Sequence, residues 1–248
     1  MSKPTETEER WWRRVVGDPR QFDVLGAVQF GLLTMFFGLR EQHRLLEIGC
    51  GSLRAGKFLI AYLEAGHYFG VDPAKRKIHA GVEHECGDDL KWLKQPTFGF
   101  QSDYSFDAFG VTFDYALAYS VLTHAPPGDV VTIFARVGAT FHQDSLFLGT
   151  AAFADDEQIA DPDQWTTVPI NRYSPQRFEE AAASAGLRLR RFAGPRPTGQ
   201  DWFVAYRDGN ERVERAAAEA DKVAWEQVVP KTSFVAAKGA SKQAPGRR

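Results

Sequence analysis

The segment Leu45-Leu46-Glu47-Ile48-Gly49-Cys50-Gly51-Ser52-Leu53-Arg54-Ala55-Gly56 constrains the fold of this chain more than any other. A short apolar run that suits a buried strand delivers the backbone into a pair of glycines, and a helix-forming run leaves it. Glycine adopts positive φ without a Cβ penalty, so such a loop can turn tightly and let a ligand reach the main chain at the carboxyl edge of a sheet. A dinucleotide-binding fingerprint has glycine at the first, third and sixth loop positions. Here the sixth is Arg54, and the third glycine comes at Gly56.

The remaining sequence repeats the same alternation. Apolar runs predict strands at 45–48, 68–71, 97–101, 113–119 and 146–153, with helical lengths at 53–63, 75–93 and 128–141. Ser174 and Pro175 open a further helix in cap and first-turn order, with Gly186 as its stop. Two alternating runs, 187–192 and 202–206, then form a hairpin around a loop holding Gly194, Pro195, Pro197 and Gly199. This order predicts an α/β fold, a doubly wound, mostly parallel open sheet with helices on both faces.

Upstream, the charge-free run Val24 to Leu39 invites a membrane reading. At 16 residues, with Gln29 and Thr34 inside it, it falls short of the ~20 needed to span. Leu25, Val28, Leu32, Met35, Phe36 and Leu39 recur at three- and four-residue steps, the stripe of a helix docked on a neighbour. The expected organisation is an N-terminal helical cap over 1–43, a core over 44–207, and a C-terminal helix with a basic tail over 208–248. The tail carries Lys231, Lys238, Lys242, Arg247 and Arg248 and reads as a solvated terminus. Thirty Lys and Arg against 32 Asp and Glu leave a formal charge of -2, so no global field attracts nucleic acid. With two cysteines, Cys50 and Cys86, a reducing, cytoplasmic setting is expected, with no membrane partner.

Asp72 ends the second strand, 21 residues after Gly51. A carboxylate there can accept hydrogen bonds from both hydroxyls of a ribose, so loop and acid together indicate an adenosine-containing ligand. The segment from Leu45 to Gly56 resembles motif I of the class I S-adenosylmethionine-dependent methyltransferases, with the acid Glu47 just before the loop. Val71-Asp72-Pro73 resembles the second motif of that family, and the stretch from Phe113 to His124, FDYALAYSVLTH, its fourth-strand motif. The likeness runs from about Leu45 to Arg207 and implies a seven-stranded sheet with its last strand antiparallel. It further implies S-adenosylmethionine as cofactor, with Gly49, Cys50 and Gly51 along its methionine portion, Glu47 toward its amino group and Asp72 with Pro73 at the ribose. Asp103 would lie toward adenine and Ser120 beside the fourth strand's end. Arg54 could meet the cofactor carboxylate as a forked ion pair.

A sulfonium brings its own reactive methyl group, so the protein's main task is alignment. A hydroxyl acceptor also benefits from a positioned base, and His124, just after the fourth strand, is the candidate. His79, His84 and Cys86 do not make a metal site: positions five apart on a helix diverge by ~140°. Trp11, Trp12, Phe22, Phe30, Phe36 and Phe37 cluster ahead of the core, as a lid over an apolar or ring-containing acceptor would require, or as core packing would. Asp155, Asp156, Glu157, Asp161 and Asp163 suit a solvated loop with capping acids better than a cation site. The expected activity is methyl transfer to a small-molecule acceptor, oxygen favoured. A nicotinamide-dependent oxidoreductase and a non-catalytic cofactor-binding module are the alternatives.

Overall fold

A computed structural model describes residues 10–196 and 198–225. The basic tail beyond 225 and Pro197 lie outside the described residues.

The elements follow the period of the apolar residues. They run α1 (Trp11–Arg14), α2 (Phe22–Gly31), β1 (Leu45–Ile48), α3 (Gly56–Tyr62), β2 (Tyr68–Val71), α4 (Lys75–Gly81), α5 (Gly87–Lys94) and β3 (Thr97–Gly99). Then come β4 (Phe113–Ala118), α6 (Pro127–Ala139), β5 (Phe141–Ala151), α7 (Pro175–Ser184), β6 (Arg188–Phe192), β7 (Asp201–Tyr206) and α8 (Glu211–Asp221). The seven strands form one sheet in the order β3-β2-β1-β4-β5-β7-β6. All neighbouring pairs are parallel except those of β7, which lies antiparallel between β5 and β6. The order reverses between β1 and β4, and in open α/β sheets ligands bind at that reversal, outside the carboxyl ends of the strands.

Alternate residues of each strand feed two cores. Leu45, Tyr115, Leu117, Leu146, Leu148, Trp202, Val204 and Tyr206 point to one face, which α2, α3, α4 and α8 cover. Leu46, Ile48, Ala116, Ala118, Phe147, Phe203 and Ala205 point to the other, under α6 and α7. This is the period-two rule of strands applied to a sheet buried on both sides.

Four expectations shift in register. The cap helix does not keep one 3.6-residue stripe: a π-helical turn at Leu32–Phe36 follows α2. The wider turn rotates Leu33 and Phe37 into the core and leaves Met35 79% exposed. The helix expected over 53–63 begins only at Gly56, because Leu53 adopts a left-handed φ of 63° that prolongs the glycine loop. A Cβ at Gly56 would sit 2.7 Å from the Tyr68 hydroxyl, so this third glycine lets α3 approach β2. The helix expected over 75–93 is divided by a π-helical turn at Val82–Cys86 and by Gly87 at φ 75°. Strand β5 begins at Phe141, five residues before the expected 146, pairing Phe141 with Phe113 ahead of a register irregularity. No helix among the described residues is long and apolar enough to cross a membrane.

Candidate functional site

The glycine loop leaves β1 at the sheet's reversal point. Gly49 and Gly51 both take positive φ, 68° and 53°. A Cβ at Gly49 would fall 2.5 Å from Val121 Cγ2, and one at Gly51 would fall 2.6 Å from Val16 Cγ1. Backbone conformation and close packing therefore both require glycine. The amides of Gly49 and Cys50 both donate to the Val71 carbonyl, which pins the loop to the end of β2. Cys50 is buried, and burial pushes its thiol well up, so it is a small packing residue rather than a nucleophile.

Asp72 closes the loop from the other side. Its Oδ2 accepts from the Gly51 amide at 3.1 Å and its Oδ1 from the Ala74 amide at 2.8 Å, and the residue is only 7% exposed. It is thus a turn former before Pro73 and a brace for the glycine loop at once. Each carboxylate oxygen has a second lone pair, so neither bond prevents it from accepting a ligand hydroxyl.

Glu47 is the buried acid of the site. It shares the face of Leu45 on β1 and accepts a hydrogen bond from the Tyr68 hydroxyl at 2.6 Å. Burial raises its carboxyl to about 7, against the lowering effects of Tyr68 and the Arg54 charge. Arg54 donates to the Val16 carbonyl at 2.7 Å and lies over the Tyr119 ring at 4.9 Å. No carboxylate stands within ion-pair distance of it among the described residues, and burial lowers its affinity for its proton. A packed guanidinium with one neutral acceptor has donors left for an anion.

The N-terminal segment, which the sequence offers as a lid or as core packing, roofs this loop. Ser52 Oγ donates to the Trp12 carbonyl at 2.6 Å, and Val16 lies on Gly51. Trp12 stacks on His84 at 4.0 Å and donates to Glu85, while Arg13 forks onto both Glu85 oxygens at 2.6 and 2.7 Å. Trp11 faces the Arg76 guanidinium at 4.2 Å. The six aromatic residues ahead of β1 therefore divide. Trp11 and Trp12 border the loop, whereas Phe22 and Phe37 are buried in the core and Phe30 and Phe36 pack against it. The signal that could have separated them was the Gly17 break before Asp18-Pro19, which caps the next turn.

Beyond β4, Ser120 takes a left-handed φ of 57°. Its amide donates to Thr150 Oγ1, whose hydroxyl donates to Gln200 Oε1, whose amide returns to Ser120 Oγ, all at 2.8 Å. This ring ties together the ends of β4 and β5 and the approach to β7. His124 follows. Its Nδ1 lies 2.9 Å from the Thr166 carbonyl, which can only accept, so Nδ1 carries the proton and Nε2 the free lone pair. Burial lowers its pKa from the ordinary histidine value, the Thr166 bond opposes that, and Lys77 adds to it, a balance that favours the neutral ring. Two hydroxyls beside it, Thr123 Oγ1 and Thr166 Oγ1, are buried with no hydrogen-bond partner among the described residues. Asp103, by contrast, is exposed and engages Ser105 through its amide and hydroxyl. The acids after β5 cap local structure: Glu157 accepts from Ser174 and Arg177, and the Arg177 guanidinium holds it down to about 2.

Residues 46–145 match the family model of a methyltransferase domain. The chain thus contains a region similar to methyltransferase domains. Solved structures of methyltransferases share the fold of this chain at low identity. Magnesium protoporphyrin IX methyltransferase from Synechocystis PCC 6803 with bound S-adenosylmethionine is 16% identical, with a TM-score of 0.58 over 82% of this chain and 92% of that one. DesVI of Streptomyces venezuelae is 14% identical, with a TM-score of 0.59 over 83% and 100%. Mitomycin 7-O-methyltransferase is 18% identical, with a TM-score of 0.53 over 82% and 58%. The residues of this chain suit the S-adenosylmethionine bound in the first of these structures: a glycine loop at the reversal point, a buried acid at the end of β2, and a guanidinium with donors to spare.

Proposed function

We propose that this enzyme methylates an oxygen of a small-molecule acceptor, with His124 as the general base. The observation that carries the proposal is the hydrogen bond from His124 Nδ1 to the Thr166 carbonyl. It leaves the lone pair of the neutral ring on Nε2, in the turn that follows β4. Two of the similar structures are named for small-molecule acceptors, one of them as an O-methyltransferase, which supports the acceptor class.

When bound, S-adenosylmethionine supplies an electrophilic methyl group and a neutral thioether leaving group. The chain's own residues hold and align. Asp72, with Pro73 fixing the turn, accepts the ribose hydroxyls; Gly49, Cys50 and Gly51 offer main chain to the methionine portion. Glu47 faces the amino group and Arg54 the carboxylate, where two parallel bonds fix direction as well as charge. Asp103 stands at the adenine side and Ser120 at the end of β4. Residues 11–17 cover the glycine loop and exclude water. Such alignment can supply roughly 7–11 kcal/mol of the barrier, and a base at the acceptor hydroxyl ~10²–10⁴-fold in rate. His124 Nε2 takes the hydroxyl proton as the oxygen attacks.

The test is release of S-adenosylhomocysteine across a panel of hydroxyl and amine acceptors, with His124→Ala alongside. The variant should lose at least about 100-fold in turnover, the low side of a base's contribution, and bind S-adenosylhomocysteine as the parent does. Full turnover in the variant removes His124 as base, and turnover with amines alone overturns the oxygen assignment.

A further inference from the structure

The segment between β5 and α7 reaches back over the turn that carries His124. Thr166 clasps that residue on two sides: its amide donates to the His124 carbonyl and its own carbonyl accepts from Nδ1, both at 2.9 Å. Further along, the Asn171 amide donates to the Thr123 carbonyl, and Asn171 Nδ2 and the Tyr173 hydroxyl both donate to the Ala125 carbonyl. The turn 123–125 is therefore held by a segment distant in sequence.

Something must hold that segment in turn. Around Thr166 it has little apolar burial, since Gln164, Trp165, Thr167, Val168 and Pro169 are all exposed, Val168 at 85%. Trp165, 46% exposed, spends its one donor inward: Nε1 lies 2.6 Å from Asp129 Oδ2 in the first turn of α6 and 3.2 Å from the Tyr104 hydroxyl. Tyr104 donates to the same Asp129 oxygen. A large indole left half in solvent, with its N–H on a carboxylate, is held by charge-assisted hydrogen bonding rather than by burial.

We propose that Trp165 is a positioning residue for His124: anchored on Asp129 and Tyr104, it fixes the Thr166 carbonyl that sets the tautomer and orientation of the imidazole. The proposal rests on the reading of His124 as base for its meaning in catalysis, but the effect on the ring can be read without any acceptor. The charged groups facing the ring and its anchor are Lys77 on α4 and Asp129 on α6. Neither is altered by a change at Trp165.

The experiment is nitrogen-detected NMR of the histidine rings in the full chain, with His124→Gln assigning the signal among the six histidines. In the parent, His124 should be the Nδ1–H tautomer and titrate below its ordinary value. In Trp165→Phe, which keeps an aromatic ring but removes the donor, the Nε2–H population should rise about 3- to 10-fold, the weight of one ordinary hydrogen bond. With the Thr166 bond weakened and burial and Lys77 unchanged, the titration midpoint should fall further below ~6.5. Asp129→Asn weakens the same anchor without removing a ring and should shift the signal the same way. An Nε2–H tautomer in the parent, or an unchanged ring in both variants, overturns the proposal. Full turnover of His124→Ala with the tautomer shifts as expected would instead remove only the base reading.

Discussion

At the scale of single residues, Glu47 is the costliest group in the site, a carboxyl buried with one neutral hydroxyl as its partner. Its proton affinity is raised to about 7 from an ordinary 4.5. The folded state thus keeps a proton that the unfolded chain releases, and stability falls as pH rises through that interval. Glu47→Gln should leave thermal stability near pH 4 almost unchanged and raise it at pH 8, by at most about 3 kcal/mol for a shift of that size. Melting curves across pH check this, and a gain equal at both ends refutes it. The same substitution should weaken S-adenosylhomocysteine binding, since a cationic amino group loses its counter-charge. Asp72 serves fold and ligand together, so its test must separate them. Asp72→Ala should weaken S-adenosylhomocysteine binding at least about tenfold, roughly one charged hydrogen bond. The loss should be smaller for the 2′-deoxy analogue by calorimetry; equal losses for both would place the ribose elsewhere.

At the scale of elements, the N-terminal arm and the π-helical turn after α4 form one latch. Glu85 gathers Trp12, Arg13 and Lys57, with side chains only 3%, 16% and 16% exposed at Glu85, Arg13 and Lys57. Removing the central acid leaves Arg13 and Lys57 sharing only the solvent-exposed Asp23, so the loss falls below the about 3–5 kcal/mol of a fully buried pair broken outright. Glu85→Ala should therefore lower the melting temperature and speed dissociation of S-adenosylhomocysteine in stopped flow. An unchanged dissociation rate would mean that residues 11–17 do not gate the site. The existence of these elements was legible from period and punctuation, for instance the Ser174-Pro175 start of α7, where Ser174 Oγ accepts from the Arg177 amide as a cap should. Their internal register was not. A π-helical turn inserts a residue without changing composition, so Met35 reads as core by spacing yet points outward, and Leu53 reads as helix although its left-handed φ keeps it in the loop.

At the scale of the whole molecule, the three-part division suggested by composition meets two continuous cores. Leu25, Leu33 and Phe37 from the cap and Val213, Ala217 and Ala220 from α8 share one buried cluster with Leu45, Leu146 and Tyr206 of the sheet. Arg212 reaches the Phe37 carbonyl and the Tyr115 hydroxyl at 3.0 Å, joining both flanking parts to β4. A chain cut to residues 44–207 would leave that sheet face open, an apolar patch well beyond what soluble monomers expose. It should aggregate or lose near-ultraviolet dichroism while the parent keeps it. A cooperative, monomeric unfolding transition in the cut chain would show instead that the flanks are separable.

The sequence by itself determined what depends on near neighbours: alternating strands and helices, a glycine loop that only glycine can form, an acid one strand later, and a histidine after the fourth strand. Those features set the fold and the place of the candidate site, because loop conformation and strand order follow from a few consecutive residues. Only the tertiary structure decided which groups meet across long separations. Val16 seals Gly51, Tyr68 donates a hydrogen bond to Glu47, Gln200 closes a ring with Ser120, and Thr166 chooses the nitrogen on which His124 keeps its proton. Each of these is a hydrogen bond or contact between segments tens of residues apart, fixed by the packing of the whole sheet and unmarked in any local pattern.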